Sequence, residues 1–538
     1  FLPSNILLWE RIISHFKNQS FFLCTYVVKD VVNKVIGDFG KWQLWICVWM
    51  TLLKLPIAWY QLNIIFMAPP QEFWCAKPDI FKCSEEEWRR VCSPRIQEQP
   101  CLIYDPDILA LAPDTDRRFI PLVQCPKFVY DNSTFKHTMT SDFDLVCNKH
   151  WLIHLTQCIM MWGILLGGII FGILADKYGR KTHLMISILI QTIFSYAICY
   201  TSDFWWFLTY WFLLALASGG VGIISFVICM EVVSGKYRTT LPVLYQLPFG
   251  LGTAAMAGLA NWLRDWRHLE FALATISALF LVYWILIPES PRWLVATGQT
   301  EKALESLKKA AKTNGMEFNK YEVNKLLVKY KNSRNLNKPE FKAFLKSKNM
   351  RLRTVLLSIN WFCTGLAFYT FSQYLGSIGR NIFLAVSLTG IISTLGGIFC
   401  IFIITRVGRK KTVGIFQLLT GLCFVMILLI PKQATTNDWM RLLFAGIGFA
   451  GMAGSIPALY LFSGELFPTL GRNVGISGVT MFARIASMVA PAVVYLDTIF
   501  EDLPLILLAV MVFAQIFLLL PLPETKDVPL PDTLEEVD

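Results

Sequence analysis

Two apolar runs, 151–175 and 182–200, are joined by the charged, glycine-punctuated stretch Gly172 to Lys181, reading G-I-L-A-D-K-Y-G-R-K. A membrane-spanning helix needs ~20 mostly apolar residues, so each run is long enough to span and the stretch between them is a tight turn at a membrane face. Lys177, Arg180 and Lys181 are basic, and Lys/Arg excess in short loops marks the cytosolic side. A second copy, I-T-R-V-G-R-K-K from Ile404 to Lys411, again separates two apolar runs. Gly408 follows Gly179 by 229 residues (408 − 179), Glu465 follows Glu231 by 234 (465 − 231), and Pro523 follows Pro288 by 235 (523 − 288). Three unlike landmarks in one order at similar offsets describe a duplication, a common way of building transporters.

Apolar residues make up 55% of the chain and charged residues 16%, with a mean hydropathy of +0.50. Those values exclude an ordinary soluble protein and predict a polytopic membrane protein. The formal charge of +11 would suggest nucleic acid, except that residues 289–353 alone hold sixteen Lys/Arg and six Asp/Glu, or +10. One basic loop therefore carries the excess. It reads as positive-inside bias with an attraction to anionic lipid, not as a nucleic-acid site.

Six of the fourteen cysteines (Cys75, Cys83, Cys92, Cys101, Cys125 and Cys147) share one polar segment, 68–150. Their number and setting predict an oxidising compartment and up to three disulfides, with all connectivities open. Their spacing matches no zinc pattern. Asn132-Ser133-Thr134 in this segment is a glycosylation acceptor pattern.

The chain divides into a cytosolic segment 1–41, a six-span half 42–288 containing the ectodomain, the basic loop 289–353, a second six-span half 354–522 and a cytosolic tail 523–538. No signal-peptide pattern opens it, and a start at Phe1 suggests an incomplete N-terminus. Trp42, Trp45 and Trp49 near the start of the first span form an interfacial aromatic belt. Within the basic loop Thr300 is expected to cap a helix with Leu304 and Leu307 on one face, ended by Asn314-Gly315. In span four, Ser218 to Gly222 permits close helix packing. Twelve spans place every basic turn on one side and both termini with them.

Gly172, Asp176, Gly179, Arg180 and Lys181 fit the signature loop of the major facilitator superfamily, which the chain resembles over nearly its whole length. Glu289-Ser290-Pro291-Arg292-Trp293-Leu294 and Pro523-Glu524-Thr525-Lys526 resemble motifs of its sugar-porter and organic-ion branches. The six-cysteine ectodomain, Gly464 to Thr469 and Arg472-Asn473 are most similar to the organic cation, organic anion and carnitine transporter family, especially its insect organic-cation-transporter-like members. The resemblance implies an all-α membrane fold of twelve helices in two pseudo-symmetric halves, alternating access, a plasma-membrane location and no enzymatic activity. On this reading Asp176, Arg180, Glu231, Arg238, Glu289, Arg292, Arg409, Glu465, Arg472 and Glu524 form a cytosolic gate whose charges pair between halves when that face is shut. Gly172 and Gly179 allow close approach and tight reversal, and Asp176 is expected at a helix N-terminus. Thr405 stands where the second copy should be acidic, which weakens that half of the latch. Fixing topology alone is the competing role for these charges.

Charges within spans bear on cargo. Lys54 in span one and Arg484 in span eleven are basic, and no acidic residue stands at the middle of any span. Such cations are costly in lipid and should face a cavity or a partner. By resemblance, Arg484 occupies a position that is aspartate in cation-selective relatives and arginine in anion and carnitine branches. The aromatics Trp59, Tyr60, Trp361, Phe368, Tyr369, Phe371 and Tyr374 are candidates to line a pocket, with packing as the alternative, and Tyr369 falls by resemblance on a substrate position. His154 reads as a packed polar group. The expected substrate is a small organic ion bearing a carboxylate. Neither a cofactor nor a metal is expected, and energy coupling, including any co-transported ion, is left open. A sugar-porter-like transporter and a non-transporting receptor or scaffold are the rival readings. No nucleophile–base set, metal-ligand spacing or phosphate loop supports an enzyme.

Overall fold

The computed structural model describes residues 35–37, 39–77, 84, 101–105, 121–233, 237–321, 323, 324, 348–374, 381–430, 439–467, 472–500 and 502–526. Cys83 and Cys92 lie outside them, as do the side chains of Arg238, Arg472 and Tyr374. Ten described helices are long and apolar enough to cross a membrane. A bent first span and the 17-residue Leu503–Leu519 bring the total to twelve.

Span one is three helical pieces, Lys41–Leu52, Lys54–Leu62 and Ile64–Met67. Pro56 supplies no N–H for the carbonyl of Leu52, which explains the first break. At the second, Asn63 turns its amide to the Glu270 carboxylate, 2.9 Å away. Spans two to six are Trp151–Tyr178, Arg180–Cys199, Phe204–Val232, Tyr237–Leu263 and Trp266–Ala278, the last extended by a tighter turn to Leu286. Spans seven to twelve are Lys348–Tyr374, Ile382–Arg406, Arg409–Leu429, Trp439–Leu466, Arg472–Tyr495 and Leu503–Leu519. Span seven starts six residues before the expected boundary at 354, because 348–353 continue the helix into the basic loop.

On the cysteine-rich face the spans begin with local caps. Asp203, Asp265 and Asn381 accept hydrogen bonds from first-turn N–H groups of spans four, six and eight. The ectodomain folds on two antiparallel strand pairs, β1 (Phe73–Cys75) with β4 (Phe128–Tyr130) and β2 (Leu102–Tyr104) with β3 (Leu122–Gln124). Cys75–Cys125 and Cys101–Cys147 are disulfide-bonded. Asp142 docks this layer on the bundle, accepting from Trp266 Nε1 (2.9 Å) and Arg267 Nε (3.0 Å). Asn132 is exposed.

The apolar core shows how the halves meet. One cluster near the cysteine-rich face is continuous across both, joining Phe66, Phe207 and Trp266 to Phe371, Phe383 and Phe449. Phe66 stacks on Phe383 at 5.7 Å. Toward the basic face two clusters are separate, one belonging to each half.

The repeated turn between spans two and three, and between eight and nine, depends on one glycine each. Gly179 has φ +127° and Gly408 φ +112°, a region that L side chains rarely adopt. A Cβ at Gly179 would also stand 2.9 Å from Glu289 Oε2, and one at Gly408 2.8 Å from Glu524 Oε2. Gly172 plays a different part from the one expected of it, since a Cβ there meets only an ordinary 3.6 Å contact with Ile223. The close approach of spans two and four lies one to two turns earlier, where a Cβ on Gly167 would lie 1.8 Å from the Leu216 carbonyl oxygen and one on Gly219 2.2 Å from that of Ile164. In the basic loop, Gly315 (φ +71°) closes helix Thr300–Asn314 as expected, but Thr300 is its first residue and the cap position falls on Gln299. Gly179→Ala and Gly408→Ala are each expected to lower the melting temperature of the detergent-purified protein, by the ~1–3 kcal/mol of a strained backbone position. Gly172→Ala should leave it unchanged, and equal effects at Gly172 and Gly179 would contradict this account of the turn.

Candidate functional site

Between the halves lies a cavity of about 120 Å³. Span one contributes Lys54 and Gln61, two turns apart and so on one helix face. Spans five, seven, eight, ten and eleven contribute Gln246 and Phe249, Trp361, Phe368 and Tyr369, Ser393 and Thr394, Phe449 and Tyr460, and Thr480 and Arg484. A polar chain crosses between the halves here. Arg484 Nη1 donates to the Tyr369 hydroxyl (3.1 Å), which donates to Gln61 Oε1 (3.2 Å). Lys54 Nζ sits 4.8 Å from the centroid of the Tyr245 ring, a cation–π contact. Trp361 meets Tyr460 edge-on at 4.5 Å, and Phe368 packs on Phe449 at 5.1 Å. Neither Asp nor Glu is among the described lining residues.

Four of the six substrate-site candidates, Lys54, Phe368, Tyr369 and Arg484, thus come together, with Trp361 beside them. Trp59 and Tyr60 do not. The Trp59 Nε1 donates to the Gly252 carbonyl (2.8 Å), and Tyr60 is fully buried between Ser195 and Ser277. The helical period turns both away from the face that carries Lys54 and Gln61. Phe371 packs on Phe424 outside the cavity lining, and His154 lies edge-on to Tyr495. Sequence reading missed Gln61, Gln246, Tyr460 and Thr480. Seven-residue spacing from Lys54 was the available signal for Gln61. It also missed Glu270, a carboxylate buried in span six that accepts from Ser195 Oγ (2.6 Å) and Asn63. Glu270 stands one turn into its span, within the first half and away from the cavity.

On the basic face the signature charges form one device in each half. Glu289 accepts from the backbone N–H of Arg180 (3.0 Å) and Lys181 (3.1 Å), and so caps span three from a distant segment. Glu524 does the same for span nine through Arg409 (2.8 Å) and Lys410 (3.3 Å). Arg180 bridges Asp176 and Glu231, the latter at 3.0 Å, and Arg409 holds Glu465 at 3.1 Å. Ser290 and Thr525 donate to those same glutamates, Glu231 and Glu465, each at 2.6 Å. Asp176 therefore lies in the last turn of span two, not at a helix N-terminus, and Glu289 takes that role. Thr405 bonds its own helix carbonyls, so the second copy lacks one carboxylate yet keeps its Arg–Glu pair. Arg292 is buried in the short helix Pro291–Thr297. Among the described residues every gate ion pair lies within a half, although Thr240 and Val243 of span five meet Ile401, Ile404 and Thr405 of span eight at this face.

Burial pulls the Glu524 carboxyl up, but hydrogen bonds from the backbone of Arg409, Lys410, Thr525 and Lys526 outweigh it and hold the group below the usual carboxylate range. A depressed folded-state pKa means that this cap contributes its stability above the ordinary glutamate pKa and loses it as pH falls through the lower folded value. Arg180→Ala would leave two neighbouring carboxylates without their counter-ion, a loss of ~3–5 kcal/mol for a buried pair. Arg409→Ala would strand only Glu465. Thermal unfolding of the two variants is expected to show the larger drop for Arg180→Ala, and the reverse order would rule out this view of the asymmetry.

Residues 122–536 match the family described as "Sugar (and other) transporter". The chain is 29% identical over 521 residues to the organic cation transporter protein of Drosophila melanogaster, covering 94% of each. It is 30% identical over 535 residues to solute carrier family 22 member 2 of Mus musculus, covering 95% of each. Among solved structures, the inward-open xylose transporter of E. coli superimposes with a TM-score of 0.62 at 16% identity, over 91% of this chain and 98% of that one. By its full-length relatives, its repeated latch and its twelve-helix fold, the chain belongs to the organic cation transporter branch of the major facilitator superfamily.

Proposed function

We propose that this secondary transporter carries small organic ions bearing a carboxylate, zwitterions or anions, through the cavity between its halves. The observation that carries the proposal is the pairing of Arg484 with Lys54 in a lining that offers no described carboxylate. A lone organic cation would meet two like charges there. A carboxylate gains a guanidinium with five N–H donors, one of which is engaged by Tyr369 among the described residues. The Drosophila relative is named for organic cations, and the rings of Trp361, Phe368, Tyr369 and Tyr460 offer an ammonium group cation–π contact. A zwitterion uses both features at once. Alternating access is the mechanism that this reading entails, and a core continuous across the halves on one face but divided on the other supports it. Positive-inside bias makes the basic face cytosolic, which on this reading leaves the cavity open to the cytosol; a plasma-membrane location with both termini in the cytosol completes the proposal.

The test is uptake of labelled carnitine, para-aminohippurate, tetraethylammonium and glucose in oocytes, with surface expression measured in parallel. Carnitine or hippurate uptake should fall about tenfold to a hundredfold in Arg484→Ala, matching the loss of a charge-assisted hydrogen bond of ~1.5–3 kcal/mol. Arg484→Lys should retain part of it. Tetraethylammonium uptake that ignores Arg484→Ala would overturn the carboxylate reading, and glucose uptake would favour a sugar porter.

A further inference from the structure

We propose that the basic face carries a site for one anionic phospholipid, in a groove between the basic-loop helices and the ends of spans one, three and six. The groove encloses about 840 Å³. Trp42, Trp293 and Leu294 are its buried lining, whereas Trp45 and Trp284 are about half exposed, at 48% and 55%. Lys181, Lys302 and Lys309 supply its charge.

Both carboxylates at the groove are already engaged. Glu289 caps span three, and Glu305 pairs with Lys309 at 2.8 Å. Among the described residues no carboxylate pairs with Lys181 or Lys302, so the groove holds uncompensated positive charge. At the same end, Gln299 holds the cap position of helix Thr300–Asn314 without a side-chain cap, and Gln299 and Lys302 both line the groove, whereas Glu301 of the first turn does not. First-turn N–H groups of an uncapped helix favour an anion. The far end of this helix is fixed to span one by Asn314, which accepts from Trp42 N (2.9 Å) and donates to Ile36 O (2.9 Å) and Gln43 Oε1 (2.7 Å). Two anchored walls thus hold the groove's shape.

A soluble anion would use the lysines and leave the tryptophans idle. A phospholipid uses both. Trp45 and Trp284 sit at the ends of spans one and six that carry the basic turns, the depth at which tryptophan meets headgroups, and Ile285 beside Trp284 is 83% exposed. Acyl chains fit that wall, and an anionic headgroup fits Lys181 and Lys302.

Native mass spectrometry of the full-length detergent-purified protein with added phosphatidylserine or phosphatidylcholine tests the site. Phosphatidylserine should be retained preferentially, and Lys302→Gln should cut its retention about fivefold, the selectivity one interfacial lysine provides. Lys302→Arg should restore it, and phosphatidylcholine retention should not change in either variant. Equal retention of the two lipids, or no response to Lys302→Gln, would overturn the proposal. Displacement of phosphatidylserine by equimolar glycerophosphoserine would also overturn it, by showing a site for a soluble anion. Lipid retention is read without transport, so its result stands apart from that of the uptake assay.

Discussion

The first N–H groups of spans three and nine emerge from a glycine that has no side chain to cap them, and a carboxylate from after the last span of each half meets them instead. Glu289 and Glu524 each close a six-helix unit by tying its end to its middle. The same geometry explains the neighbouring residues. Gly179 and Gly408 are glycine because the turn needs positive φ and because the carboxylate occupies the space of a Cβ. Ser290 and Thr525, following those carboxylates, reach Glu231 and Glu465, which hold the arginines opening spans three and nine. Each half is therefore cross-linked at its basic end by one set of charges.

On the proposed reading, cross-linked ends within halves leave the contact between halves as the place for a conformational switch. On the cysteine-rich face that contact is an apolar aromatic core, Phe66 and Phe135 against Phe383, with the ectodomain docked above through Asp142. Toward the basic face the cores part. Between the two levels the chain Arg484–Tyr369–Gln61 is a polar crossing at the cavity. On the proposed reading, a ligand carboxylate bound to Arg484 would compete with or extend this crossing, and would so link cargo to the relation between halves. Alternating access needs such a link, since a ligand shifts an equilibrium only through differential contacts in the two states.

Span one connects several of these parts. Its start is held by Asn314 of the basic loop, its middle places Lys54 and Gln61 in the cavity, and its outer break at Asn63 rests on the buried Glu270. Loop, cavity and buried carboxylate are thus all in contact with a single broken helix. Its fracture at Pro56 and Asn63 also accounts for Lys54 being tolerated inside the bundle, because a bent helix can turn that residue against Tyr245 instead of lipid.

The twelve spans, the duplication and the side carrying the basic turns were legible from the sequence alone, because bilayer thickness and the cost of burying charge act on local composition. Glycine punctuation at Gly179 and Gly408 was equally legible, since the turn is a local matter. Which residues meet across the chain was not. Asp176 was assigned a cap that belongs to Glu289, more than a hundred residues later, and Gly172 a close approach that falls at Gly167 and Gly219. Trp59 and Tyr60 were read as pocket residues by type, while the rotation of one helix turned them inward and brought Gln61 to the cavity. Arg484 and Lys54 were found by their charge, but their meeting with Tyr369, Tyr245 and Gln61 in one cavity was decided by the packing of two halves, a long-range arrangement no single window of sequence contains.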